Sequence, residues 1–185
     1  MLDRNFIIGL ECKRLLSPND IDYAEYEFDE EYQNITSVLY DLSESFYERE
    51  IVLVLKICDH SCINLGVELC ILLEELHNFI CFANDDNKVE FNLWFYEQGG
   101  DRLLSFKKAE NGRYILIFND NDISGFKPLN TTGSILDLNL MLYTLFSKVR
   151  LLAYKMCPSI AKNPLFSPWI AEIENTFAMD ASQDQ

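Results

Sequence analysis

From Val89 to Tyr96 the chain alternates without a break. Val89, Phe91, Leu93 and Phe95 form one set, and Glu90, Asn92, Trp94 and Tyr96 stand between them. A two-residue period puts each set on its own face of a strand, so this stretch has to build a sheet with one buried face. Gly99–Gly100 then supplies a turn, Leu103–Lys108 a second strand, and Arg113–Phe118 a third. Asn111–Gly112 between the last two is a strong hairpin signal, because a type I′ turn needs positive φ at both central residues. The expected result is a three-stranded antiparallel meander at about 88–118.

The remaining elements follow from composition and period. Ile51–Cys58 (IVLVLKIC) is β-branched and almost wholly apolar, as a buried central strand is. Arg4–Leu16 puts Phe6, Ile8 and Leu10 on one side and suits a further strand before the break at Pro18 and Asn19. Tyr32, Ile35, Val38, Leu39, Leu42 and Phe46 make one face of a helix over 32–47, with Glu30 and Glu31 at its positive end. A turn at Asp59–Ser61 leads to a second helix over 64–80, striped by Leu65, Leu69, Leu72, Leu76 and Phe79. Residues 119–132 read as loop. Ser134 and Asp137 then resemble a helix N-cap and its N3 partner, opening a long helix at about 135–156 that is apolar nearly all round. That helix is expected to lie deep, with Leu140 and Leu145 both in the core. From Lys162 onward the chain reads as a tail.

The fold class that results is α+β: an antiparallel sheet, made of the meander at about 88–118 plus the strand at about 51–58, with helices packed mainly on one face and a long helix at about 135–156. Residues 1–178 suit a single domain, and 179–185 are expected to be a disordered tail.

Charge narrows the classes of partner. Thirty acidic residues face fifteen basic ones, a formal net charge of −15. Nucleic acid and anionic membrane surfaces both repel such a chain, so neither is an expected partner. The N-terminus is interrupted by Asp3 and Glu11 and does not read as a signal peptide. The longest apolar run, around Leu138–Phe146, is far short of a bilayer span. A cytoplasmic location and reduced cysteines are therefore expected.

Catalytic signatures are scarce. Only two histidines occur, and there is no glycine-rich phosphate loop and no GxSxG elbow. Glu74 and His77 form an ExxH without the second copy that di-iron bundles use; a surface histidine beside carboxylates is the simpler reading. Cys58, His60 and Cys62 alternate and have the chemistry of zinc ligands, yet lack a fourth ligand and CxxC spacing. A nucleophilic Cys–His pair between either histidine and a thiol has no local signature. The expectation is a protein without catalytic residues, metal or cofactor.

One segment stands out for binding. Asp20–Glu31 reads DIDYAEYEFDEE, with seven acids, no base and three aromatics. Asp20, Asp22, Tyr23, Glu25, Tyr26, Glu27, Asp29 and Glu30 are the candidate contacts: carboxylates for Lys and Arg of a partner, aromatic rings for area at low entropic cost. The alternative is a solvated loop whose tyrosines pack on the helix behind it. The expected function is docking or neutralising a basic protein, most concretely as a bacterial immunity protein inhibiting a toxin such as a nuclease. A small adaptor domain or homodimer is the alternative, and an enzyme using carboxylates or the Cys58–Cys62 segment a further one.

The cysteine reading is directly measurable. Thiol titration of the denatured protein is expected to find all six cysteines free, and elemental analysis to find no stoichiometric zinc. A zinc-to-protein ratio near one would point first to Cys58, His60 and Cys62.

Overall fold

The computed structural model describes residues 6–21, 34–58, 60–65 (as backbone), 68–96 and 101–178. Its architecture is α+β, with two antiparallel sheets. The first has the order β1-β2-β3, formed by β1 (Phe6–Cys12), β2 (Ile51–Ile57) and β3 (His60–Leu65). The second has the order β4-β5-β6-β7, formed by β4 (Glu90–Phe95), β5 (Arg102–Ala109), β6 (Arg113–Asp120) and β7 (Leu129–Ser134). The helices are α1 (Ile35–Glu48), α2 (Leu69–Glu74), α3 (Leu76–Asn84), α4 (Ile135–Met156), α5 (Pro158–Ala161) and α6 (Phe166–Ala178).

The meander is present as its alternation requires. Leu93 and Phe95, Leu104 and Phe106, and Tyr114, Leu116 and Phe118 point inward and are buried. Asn111 and Gly112 both take positive φ, 60° and 65°, in the turn between β5 and β6. Gly99–Gly100 lies outside the described residues.

Four expectations are corrected. First, β2 does not join the meander. It pairs with β1 from Phe6↔Ile57 to Cys12↔Ile51, and on its other side with β3. Its two neighbours satisfy both rows of its backbone groups, as a strand of nearly unbroken apolar residues needs. Secondly, residues 60–65, expected as turn and helix start, form β3; helix resumes only at Leu69 and is broken between α2 and α3 at Glu75. Thirdly, Leu129–Ser134 is a strand and not loop. Its inward positions are Thr131 and Gly133, so it carries no apolar alternation. The ring of Tyr114 explains the glycine: a Cβ on Gly133 would stand 2.4 Å from its Cζ. Fourthly, residues 166–178 form a helix whose Phe166, Trp169, Ile170 and Ile173 are buried. Pro168 falls in its first turn, where the missing N–H has no intrahelical acceptor to lose.

Caps set the helix starts. Ser37 N–H donates to Asn34 Oδ1 at 3.0 Å, which opens α1 at Ile35, three residues after the expected Tyr32. Asp137 N–H donates to Ser134 Oγ at 3.4 Å, as the pattern of α4 predicts. The buried side chains of both sheets and of the helices form one continuous cluster. α4 packs on β1, α3 and β7, and β7 also touches β1 and β2 where the two sheets meet.

α4 is not buried all round. Leu138, Leu142, Leu145, Phe146, Val149 and Leu152 face the core, whereas Leu140 is half exposed. The placement of Leu140 in the core is therefore wrong: two adjacent apolar stripes run along one helix, and only one meets the sheets. Leu145→Ala is expected to cost about 2–5 kcal/mol in denaturant melts, and Leu140→Ala less than about 0.5 kcal/mol. Equal losses for the two variants would contradict this packing.

Candidate functional site

The acidic segment is only partly in view. Asp22, Tyr23, Glu25, Tyr26, Glu27, Asp29 and Glu30 lie outside the described residues. Asp20 is described, and its carboxylate is committed within the chain. It closes a single turn of 3-10 helix at Pro18–Asp20, where Oδ1 accepts from Arg14 and Oδ2 accepts from the Ser17 backbone N–H at 2.6 Å and hydroxyl at 2.9 Å. Arg14 first, and Ser17 next, hold this carboxyl far below the usual carboxylate range. Arg49 ties the same turn to α1 by donating to the carbonyls of Asp20 and Ser45.

The four-stranded sheet offers a more complete surface. Among the described residues, helices cover its inner face and leave the outer one open. On the outer face the register aligns Trp94, Leu103 and Asn119 in one row, Asn92, Ser105, Ile117 and Asn130 in the next, and Glu90, Lys107, Ile115 and Thr132 in the third. Trp94, Tyr96, Ile115 and Ile117 are exposed there. Trp94 has a partner on this face: its Nε1–H donates to Asp101 Oδ1 at 2.8 Å. Asp101 is itself fixed, because Oδ2 accepts from Asn121 Nδ2 at 3.0 Å and its N–H donates to Asp122 Oδ2 at 2.9 Å. Behind them the buried Asp120 lies 3.4 Å from Arg102, which also reaches Glu68 at 3.3 Å. The result is an indole held upright at the border of an acidic corner. Such a group can take an arginine or lysine, with the ring face for the cation and Asp101 or Asp122 for its charge. The alternation at 89–96 marks Trp94 as outward-facing; its bond to Asp101, seven residues on, has no signal in the sequence.

Of the two chemical candidates, the structure places the one at His77, and of the other only Cys58. Among the described residues, no three His, Cys, Asp or Glu side chains are grouped to hold a metal. Cys58 is exposed in the turn after β2, at φ 54°, while the side chains of His60 and Cys62 lie outside the described residues. His77 has better-defined neighbours than a surface histidine beside Glu74 and Glu75. It faces α6, with Nδ1 at 3.1 Å from Thr176 Oγ1 and 3.5 Å from Glu172 Oε1. The Thr176 hydroxyl also donates to the Glu172 carbonyl at 2.8 Å. Nε2 lies 3.6 Å from Cys81 Sγ, one helical turn on. A base, a thiol and an orienting group are thus in reach of one another. The sequence conceals this set because residues from Lys162 onward read as a tail.

No protein-family model matches the chain, and neither curated proteins nor solved structures yield a significant match. No helix among the described residues is long and apolar enough to cross a membrane.

The two tryptophans separate the surface from the core in one measurement, since Trp94 is 52% exposed and Trp169 7%. In a Trp169→Phe background, acrylamide is expected to quench the remaining indole readily, and Asp101→Ala to increase that quenching. The same variant removes two side-chain hydrogen bonds, from Trp94 and Asn121, and should lose about 1–3 kcal/mol of stability. Quenching that Asp101→Ala leaves unaltered would mean that the indole is not braced there.

Proposed function

We propose that this chain is a binding protein that docks a basic protein partner, and that its most concrete role is a bacterial immunity protein that neutralises a toxin such as a nuclease. The observation that carries the reading is Trp94, an exposed indole hydrogen-bonded to Asp101, with Asp122 next to Asp101, on a chain of net charge −15. Rigid aromatic anchors dominate interface energies, and complementary charge speeds encounter. The acidic run from Asp22 to Glu31 adds to the same electrostatic field.

The test is co-purification from the native cell followed by surface-binding kinetics at two salt concentrations. Neutralising Asp22, Glu25 and Glu27 to Asn or Gln is expected to slow association at low salt and flatten its salt dependence. Trp94→Ala is expected to speed dissociation by about 30-fold or more, the scale of a hot-spot residue. Unchanged rates in both variants would defeat the reading.

His77 favours a second reading, a thiol-dependent activity centred on Cys81. The proton of the thiol passes to Nε2, and Glu172 stabilises the imidazolium that forms. With iodoacetamide as probe, the Cys81 sulfur displaces iodide. Site-resolved mass spectrometry at pH 7 is expected to show Cys81 labelling slowed about tenfold or more by His77→Gln, with Cys12 unchanged. Labelling that stays equal or quickens in His77→Gln would leave Cys81 an ordinary half-buried thiol.

A further inference from the structure

The second apolar stripe of α4 has no cover among the described elements. Leu136, Leu140, Tyr143, Leu151 and Tyr154 are between 48% and 77% exposed. At about 100° per residue, these five and Ser147 fall within a band about 80° wide along most of the helix. Two shallow grooves border the stripe. One, of about 310 Å³, is lined by Ile7, Leu140, Met141, Thr144 and Lys148; the other, of about 350 Å³, by Tyr143, Phe146, Ser147, Arg150 and Phe177. The exposed rings are held in place from below: Tyr143 packs edge-on against Phe177 at 5.4 Å, and Tyr154 against Phe166 at 6.1 Å. A ridge of fixed side chains between two grooves is what a second helix needs for ridges-into-grooves packing.

The spacing of the stripe says which helix. We propose that α4 pairs antiparallel with α4 of a second copy of this chain, about a two-fold axis near residue 145. In that register Leu136 meets Tyr154 of the other copy, Leu140 meets Leu151, and Tyr143 meets Ser147, and each contact occurs twice, as an isologous interface requires. Charge selects the same arrangement. α4 carries Asp137 near its start and Lys148, Arg150 and Lys155 toward its end, so it is net positive within a strongly acidic chain. Asp137 and Lys155 lie on the same flank of the stripe, and antiparallel pairing brings each beside its opposite. A parallel pair would put these flanks on opposite sides of the interface, so Asp137 would miss Lys155, and would align the two helix dipoles unfavourably. A single pair of helices makes a small interface, at or below the low end of the ~1,200–2,000 Å² of specific ones, so a weak, reversible dimer is expected.

Sedimentation velocity of the full chain from about 1 to about 100 µM is the test, the range in which such an affinity is read. The expected result is a reversible monomer–dimer equilibrium. Leu140→Glu and Leu151→Glu, both at exposed positions that leave the core intact, should each weaken it at least about tenfold, while circular dichroism reports an unaltered fold. Asp137→Lys and Lys155→Asp should each weaken it, and the double exchange should restore it. A chain that stays monomeric at the highest concentration overturns the proposal, as does a dimer that Leu140→Glu and Leu151→Glu leave intact. A dimer indifferent to the charge exchanges overturns the antiparallel register.

Discussion

Phe106 is the side chain on which both halves of the fold lean. Its ring is buried in β5 and touches the first sheet through Phe6 at 5.6 Å, α3 through Phe79 at 4.8 Å and Phe82 at 6.2 Å, and its own sheet through Phe91 at 6.3 Å and Tyr114 at 5.7 Å. The two sheets share no strand, so they are joined by packing and not by a hydrogen-bond ladder. Aromatic side chains serve this purpose well, because each buries a large area and prefers the tilted and edge-on contacts seen here. A small residue at 106 would open a cavity at the junction and loosen α3, β1 and β4 together.

The same junction determines what is left uncovered. With α1, α2, α3 and α4 drawn to the side where the sheets meet, the outer face of the four-stranded sheet keeps Trp94, Tyr96, Ile115 and Ile117 in solvent. α4 lies at the margin and has to present one stripe inward and one outward. Among the described residues two apolar surfaces are left without cover, in a chain whose net charge of −15 keeps the molecules apart. The acids are unevenly engaged. Asp20 and Asp120 are paired with arginines within the fold, whereas Asp101 and Asp122 are arranged around an exposed ring.

Much of this was legible in the residues themselves. The two-residue period at 89–96 and the Asn111–Gly112 turn determined the meander, since each depends on contacts between near neighbours in sequence. Ser134 and Asp137 marked the start of α4 for the same reason. The outward set of the alternation already contained Trp94 and Tyr96. β7 was hidden because Thr131 and Gly133 owe their inward places to a bulky partner, Tyr114, and not to any apolarity of their own. α6 did carry a helical apolar period, at Phe166, Trp169, Ile170 and Ile173, but Pro164 and Pro168 disguised it as a tail.

What the sequence alone determined is therefore local: strand period, turn chemistry and helix caps, beside a strongly acidic net charge. Tertiary structure decided everything that rests on which elements meet. It placed β2 between β1 and β3, because an apolar strand needs partners on both edges and the local pattern does not name them. It chose which of the two apolar stripes of α4 faces the core. It brought Glu172 and Thr176 to His77 across 95 and 99 residues of chain, since Glu172 and Thr176 stand on α6 and His77 on α3. Such pairings are set by the packing of whole faces, a non-local energy that no window of sequence contains.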